Sequence, residues 1–186
     1  MDVQYETIQP KFEEAKRFIT HDLGVLVNSP SSVNYTAALL IACACETLAW
    51  FRYGKQHSGD RFLRETMLPS RWKSVSSSLY DALRDGLVHA FETKKVKVGP
   101  KQFDIGVSWG NHQHLTFNEN RSILYLDVKT LADHLLIAIG NYEQELKSNP
   151  TARERFFETM REMRNGFSKD TSNNESERSA WEELLK

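Results

Sequence analysis

Residues 79–95 read LYDALRDGLVHAFETKK, and the fold class turns on whether this stretch is one helix. At about 100° per residue, Leu79, Leu83, Gly86, Leu87 and Ala90 gather on one stripe. Asp81, Arg84, Asp85 and His89 fall on the other side, which is the pattern of an amphipathic helix packed on a core. A glycine inside a helix costs about 1 kcal/mol against alanine. On the apolar stripe, Gly86 is best explained by close approach of a packed neighbour. Val88 is the apolar member of the polar strip that Arg84 and His89 border. It is placed to sit at the centre of a two-fold contact between copies of this helix.

Working outward, the helical period holds on the N-terminal side. Phe12, Ala15, Phe18 and Ile19 space a helix over Gln9 to Asp22, with Pro10 tolerated in its first turn. Val33 to Tyr53 reads as a long buried helix stopped by Gly54. Asp60 is a candidate cap for a short helix through Leu68, and Pro69-Ser70 opens the helix of the quoted stretch. On the C-terminal side the period changes to two. Val96/Val98, Phe103/Ile105/Val107, Leu115/Phe117 and Ile123/Tyr125 alternate between turn residues, and predict an antiparallel meander of three or four strands. Asp127 then caps a helix whose core stripe is Leu131, Leu135, Leu136, Ile139 and Tyr142. A last helix ends at Gly166. The expected architecture is mainly α: a helical bundle spanning residues 1–166 with a small antiparallel β-meander inserted at about 94–126. A polar, mobile tail is expected over 167–186.

The totals bound the function. A chain of 186 residues with 40% hydrophobic and 26% charged residues has the composition of one globular domain. A net charge of −1 gives no global attraction to a polyanion, so any such binding must come from a local patch. The run AALLIACA is too short to span a bilayer, and the N-terminus lacks the apolar core of a signal peptide. Cys43 and Cys45 are two apart on a helix, poorly placed to pair or to clamp a metal. They read as buried thiols in a reducing cytoplasm.

The stretch LRDGLVHAF resembles the signature of the HEPN superfamily (higher eukaryotes and prokaryotes nucleotide-binding): an arginine, a polar residue, a few further positions and a histidine on one helix of an α-helical bundle. The similarity in layout covers roughly residues 33–148 and is specific over Leu79 to Phe91. Many members of that family are metal-independent ribonucleases that act as dimers, often in toxin–antitoxin or antiviral systems, whereas others only bind. The resemblance implies catalytic roles for Arg84 and His89 and a supporting role for Asp85, with no cofactor. It also implies a homodimer acting on RNA, with a nucleotidyltransferase-like antitoxin as a candidate partner. The chemistry is coherent. Histidine can move protons near neutral pH, and the guanidinium fork suits the charge that builds on a phosphorane.

Each of these residues also has a purely structural reading. Arg84 can pair with a neighbouring acid while His89 sits at the edge of the core. Spacing alone does not decide, since Arg52 and His57 have the same separation across Gly54. Lys94, Lys95 and Lys97, with Lys101, form either a phosphate-binding rim or a lysine-protected edge strand. His112 and His114 are two apart on an expected strand, and read as a polar pair near a turn rather than as metal ligands.

Overall fold

The computed structural model describes residues 3–29, 33–90, 95–98 and 100–166, apart from the side chains of 86–90, 98 and 165–166. Within these residues six α-helices surround one core and a four-stranded sheet caps it. The helices are α1 (Tyr5–Val27), α2 (Asn34–Tyr53), α3 (Gly59–Thr66), α4 (Ser76–Ala90), α5 (Val128–Ser148) and α6 (Pro150–Gly166). The strands are β1 (Val96–Val98), β2 (Lys101–Ser108), β3 (Thr116–Asn118) and β4 (Ile123–Asp127).

The central helix is α2. It packs against every other α-helix and against β2, so it is apolar almost all round, as a helix enclosed by others must be. Taken whole, it is long and apolar enough to cross a membrane, with a mean hydropathy of 1.2, which the shorter run AALLIACA did not suggest. In the fold that apolarity is used for packing. Ala37, Ala38, Ile41, Ala42, Cys45, Leu48 and Ala49 are buried, and the alanines let neighbouring helices approach closely. The helix ends where the sequence predicts, with Gly54 in the left-handed region (φ 64°) and its N–H on the Trp50 carbonyl. Edge-to-face contacts of Phe12 with Tyr142 and Phe156 tie α1, α5 and α6 together.

Several expectations need correction. The first helix runs from Tyr5 to Val27, well beyond Gln9 to Asp22, and its Phe18 is exposed. In α5, Leu131, Leu135, Ile139 and Tyr142 are buried as expected, but Leu136 is exposed. A 3-10 turn over Ser70–Val75 precedes α4, so Pro69-Ser70 opens that turn and not the helix. Asp60 lies inside the first turn of α3, whose N-cap position is Ser58. Cys45 is buried, but Cys43 is exposed.

The sheet is mixed and is not an antiparallel meander. Its order is β1-β2-β4-β3, with β4 parallel to β2 and antiparallel to both its hairpin partner β3 and the direction of β1. Burial accounts for the order. β4 carries Leu124, Leu126 and Asp127 inside, whereas Thr116 and Phe117 of β3 are exposed, so β4 takes the inner place and β3 the edge. The inward phase of β4 is therefore one residue from the expected Ile123/Tyr125, which are half-buried.

Asp127 joins sheet to bundle. Its carboxylate accepts from the Thr130 N–H (3.0 Å), the Thr130 hydroxyl (2.8 Å), the Ser108 hydroxyl (3.2 Å) and the Gly110 N–H, fixing the start of α5 and the end of β2 together. Its own N–H donates to His114 Nδ1 (3.2 Å). In a neutral ring the hydrogen of His114 then sits on Nε2, which is buried and meets no acceptor. His134 stands edge-on to that ring, with centroids 5.8 Å apart.

Burial, reinforced by His134, holds His114 down at about 4 against the pull of Asp127. For Asp127 burial acts upward, but the hydrogen bonds from Thr130, Gly110 and Ser108 prevail and keep its carboxyl below the usual range. In the unfolded chain a histidine takes its proton near 6.5 (an approximate reference value), so between that pH and about 4 the unfolded state binds more protons. Stability is therefore expected to fall as pH falls through this window, with the Asp127 contribution lost lower still. Urea midpoints measured across the window should flatten in His114→Asn. A pH dependence identical to wild type would show that His114 is not held neutral in the fold.

Candidate functional site

Arg84 lies on the wall of a cavity of about 270 Å³ that Glu46 of α2, His57 and Asp60 around the start of α3, and Tyr80, Asp81 and Asp85 of α4 also line. The helical phase read from the sequence brings Asp81, Arg84 and Asp85 to one side of α4, while Leu79, Ala82 and Leu83 go to the core. Tyr80 goes inward as well, and it organises the cavity.

The cavity is built on the Glu46 carboxylate. Oε1 accepts from the His57 N–H. Oε2 accepts from the Gly59 N–H (3.1 Å) and from the Tyr80 hydroxyl (2.9 Å), which is also 3.3 Å from the Ala42 carbonyl. One side chain of α2 thus satisfies the free N–H at the start of α3, fixes the preceding loop and anchors α4. His57 is held with φ at 57°, the left-handed region that a β-carbon disfavours. Burial and then the Glu46 charge push the Tyr80 phenol up, so it remains a donor.

Arg84 is half-buried, and its Nη1 donates to Asp85 Oδ1 at 3.0 Å. Burial by itself disfavours its charge, but Tyr80, Asp85 and Glu46 outweigh it and hold the guanidinium more firmly protonated. Cys43 lies close enough to feel the same charge. Although the residue is exposed, its sulfur is sheltered. Burial and Glu46 push the thiol up despite Arg84, so it is a neutral thiol and a poor nucleophile at neutral pH. Cys45 is pushed by burial up to about 12 and donates to Met67 Sδ at 3.6 Å.

The remaining expected site residues divide. The backbone of His89 is helical within α4, but its side chain lies outside the described residues, as do those of Gly86 and Val88. Lys94 and the 167–186 segment also lie outside them. Lys95 is exposed and within 3.4 Å of Asp104, and Lys97 is exposed on the edge strand β1. His112 and His114 do not share a strand face: both lie in the β2–β3 connection, His112 stacked on Tyr125 (3.9 Å) and His114 turned to Asp127. The Arg52–His57 pair separates too, Arg52 bonding Glu145 at 3.0 Å while His57 enters the Arg84 cavity.

Glu46, Tyr80 and His57 were not legible as site residues. Glu46 lies in a largely apolar helix and is recognised by backbone N–H groups, which leave no residue signature. No family model matches the chain, and neither a curated protein nor a solved structure does.

The Tyr80 hydroxyl passes so close to Gly59 that a β-carbon there would meet the end of the phenol ring. Gly59→Ala should therefore displace Tyr80 from Glu46, at a cost of about 1–3 kcal/mol in urea unfolding. An unchanged midpoint would mean that the cavity tolerates a shifted phenol and that the Glu46 junction is not tight.

Proposed function

We propose that the chain is a HEPN-like helical module that cleaves RNA without a metal ion, using Arg84 and His89 of α4. The observation that carries this reading is the placement of Arg84. It is half-buried on a cavity wall, oriented by Asp85 at 3.0 Å, on the helix whose next turn bears His89.

In this scheme the 2′-hydroxyl of a ribose attacks its own neighbouring phosphorus. A neutral imidazole takes the hydroxyl proton, and an imidazolium protonates the departing 5′ oxygen. Arg84 faces the charge that accumulates on the phosphorane. Each α4 supplies one His89, so a homodimer with facing α4 helices supplies both proton carriers. Dimerisation thereby becomes part of the chemistry. In a toxin–antitoxin or antiviral role, a nucleotidyltransferase-like partner would restrain this activity.

A second reading has its own support. Four carboxylates, Glu46, Asp60, Asp81 and Asp85, line the same cavity as Arg84. Their field opposes the approach of a phosphate to Arg84, which favours a non-catalytic module whose RNA, nucleotide or protein partner is bound on another surface.

The test is cleavage of single-stranded RNA in excess EDTA. Products should carry 2′,3′-cyclic phosphate and 5′-hydroxyl ends, and 2′-O-methyl RNA should resist. His89→Ala is expected to lower the rate by about 10²–10⁴-fold, the usual range for acid–base groups, with comparable damage from Arg84→Ala and none from Arg52→Ala. His57→Ala is the informative control, because this residue shares the Arg84 cavity. If it abolishes cleavage while His89→Ala does not, His57 is the proton carrier. RNA that is bound but never cut would establish the non-catalytic module.

A further inference from the structure

A second and larger cleft, about 500 Å³, opens between the 3-10 turn that precedes α4 and the edge of the sheet. Arg71, Trp72 and Val75 line it from the turn, and Gln113, Leu115 and Phe117 from the sheet side. Its volume lies within the ordinary range for small-ligand sites.

The cleft has a definite chemistry. Two aromatic rings reach it from different elements. The ring of Phe117, half exposed to solvent at 45%, is braced edge-on by Phe103 at 5.6 Å. Trp72 packs on the core, and its indole N–H is shielded from solvent yet donates to no acceptor. Its ring is therefore placed by packing alone. A small turn into the cleft would let a bound acceptor satisfy that donor, whose isolation costs free energy as it stands. Arg71 is exposed and lies 5.6 Å from the Trp72 ring centroid, with no carboxylate in ion-pair contact among the described residues. Leu115 forms the buried floor and holds φ at 57°, so the loop is held in a sparsely populated conformation where it meets the cleft. One uncommitted cation, two aromatic faces and an amide (Gln113) make up a surface for a flat ring that carries an anionic group.

We propose that this cleft is a nucleotide-binding subsite for single-stranded RNA, in which a base stacks against Trp72 and Phe117 while its phosphate pairs with Arg71. The subsite deepens the RNA reading given above and rests on it for the identity of the ligand. It does not depend on catalysis at Arg84. Stacking accepts any base, so the subsite supplies affinity with little sequence preference. Arg71 carries the bidentate fork suited to a phosphate.

The probe is a 2′-O-methyl oligouridylate hexamer, which cannot be cut, titrated against the full chain. Wild type should bind it with quenching of tryptophan fluorescence. Phe117→Ala and Arg71→Ala, both at exposed positions, should each weaken binding by about tenfold, as expected for loss of a stacked base or of a phosphate contact. Trp72→Phe should remove the quenching. Arg52→Ala, at a position that lines neither cleft, should bind like wild type. Unchanged affinity in Phe117→Ala and Arg71→Ala would overturn the subsite while leaving the ribonuclease reading to its own cleavage test. Binding that needs the cleft in a protein that never cuts RNA would keep the subsite and discard the catalysis. No binding of the hexamer by wild type would overturn the subsite outright.

Discussion

The Glu46 carboxylate is the constraint on which the helical half of the molecule depends. An ionised group on a largely buried helix is costly unless its lone pairs are occupied. Here the His57 and Gly59 N–H groups and the Tyr80 hydroxyl occupy them. Three elements are thereby fixed to one side chain: the loop after α2, the first turn of α3 and the buried face of α4. The requirement for glycine at position 59 follows directly, because the phenol can reach the carboxylate only across a residue with no side chain. Asp127 plays the corresponding part in the other half, joining β2, β4 and the start of α5.

The same junction sets the electrostatics of the candidate site. The Glu46 carboxylate that gathers these donors also lines the Arg84 cavity, together with Asp60, Asp81 and Asp85. That field raises the stability of the guanidinium's charged form and simultaneously screens it from an incoming phosphate. A group so placed is better suited to a charge that develops after the substrate is bound than to capturing a polyanion from solution. It also explains why the charge of the Cys43 neighbourhood does not activate that thiol. The cation is shared among carboxylates, and the sulfur is partly desolvated.

What was legible in the sequence was the part written in side-chain periodicity and in residue-specific caps. Leu79 and Leu83 of the α4 stripe, the Gly54 stop and the Asp127 cap each rest on a residue type that has a preferred place. The parallel pairing of β2 with β4 was not legible, since alternation reports that a segment is a strand and not which neighbour it chooses. The one-residue phase shift in β4 arose because Ile123 and Tyr125 are as apolar as Leu124 and Leu126, and tertiary burial had to decide between them. At the site, helix geometry put Arg84 and Asp85 on one side of α4, and the resemblance carried by LRDGLVHAF singled them out. His57 was set aside because a glycine separates it from the helix, and it enters the cavity through the very loop that this glycine permits. Phe18 and Leu136 satisfied the helical period but lie at the margin of their stripes, where about 100° per residue leaves no sharp edge.

The division of charge between the two clefts bears on how one chain of near-zero net charge would engage the RNA proposed as its ligand. The acid-lined cavity around Arg84 offers no net attraction, and Lys97 stands on the edge strand β1 with Lys95 just before it, beside Asp104. Arg71, which has no ion-pair partner among the described residues, and the two aromatic rings lie elsewhere, between the turn that leads into α4 and β3. Binding energy gained there on a non-reacting part of the ligand can offset the unfavourable approach of a phosphate to the acid-lined cavity. The turn and Arg84 belong to consecutive elements with no intervening loop, so the distance between the two surfaces is fixed by the fold. On the proposed reading, affinity would reside in stacking and chemistry in the guanidinium.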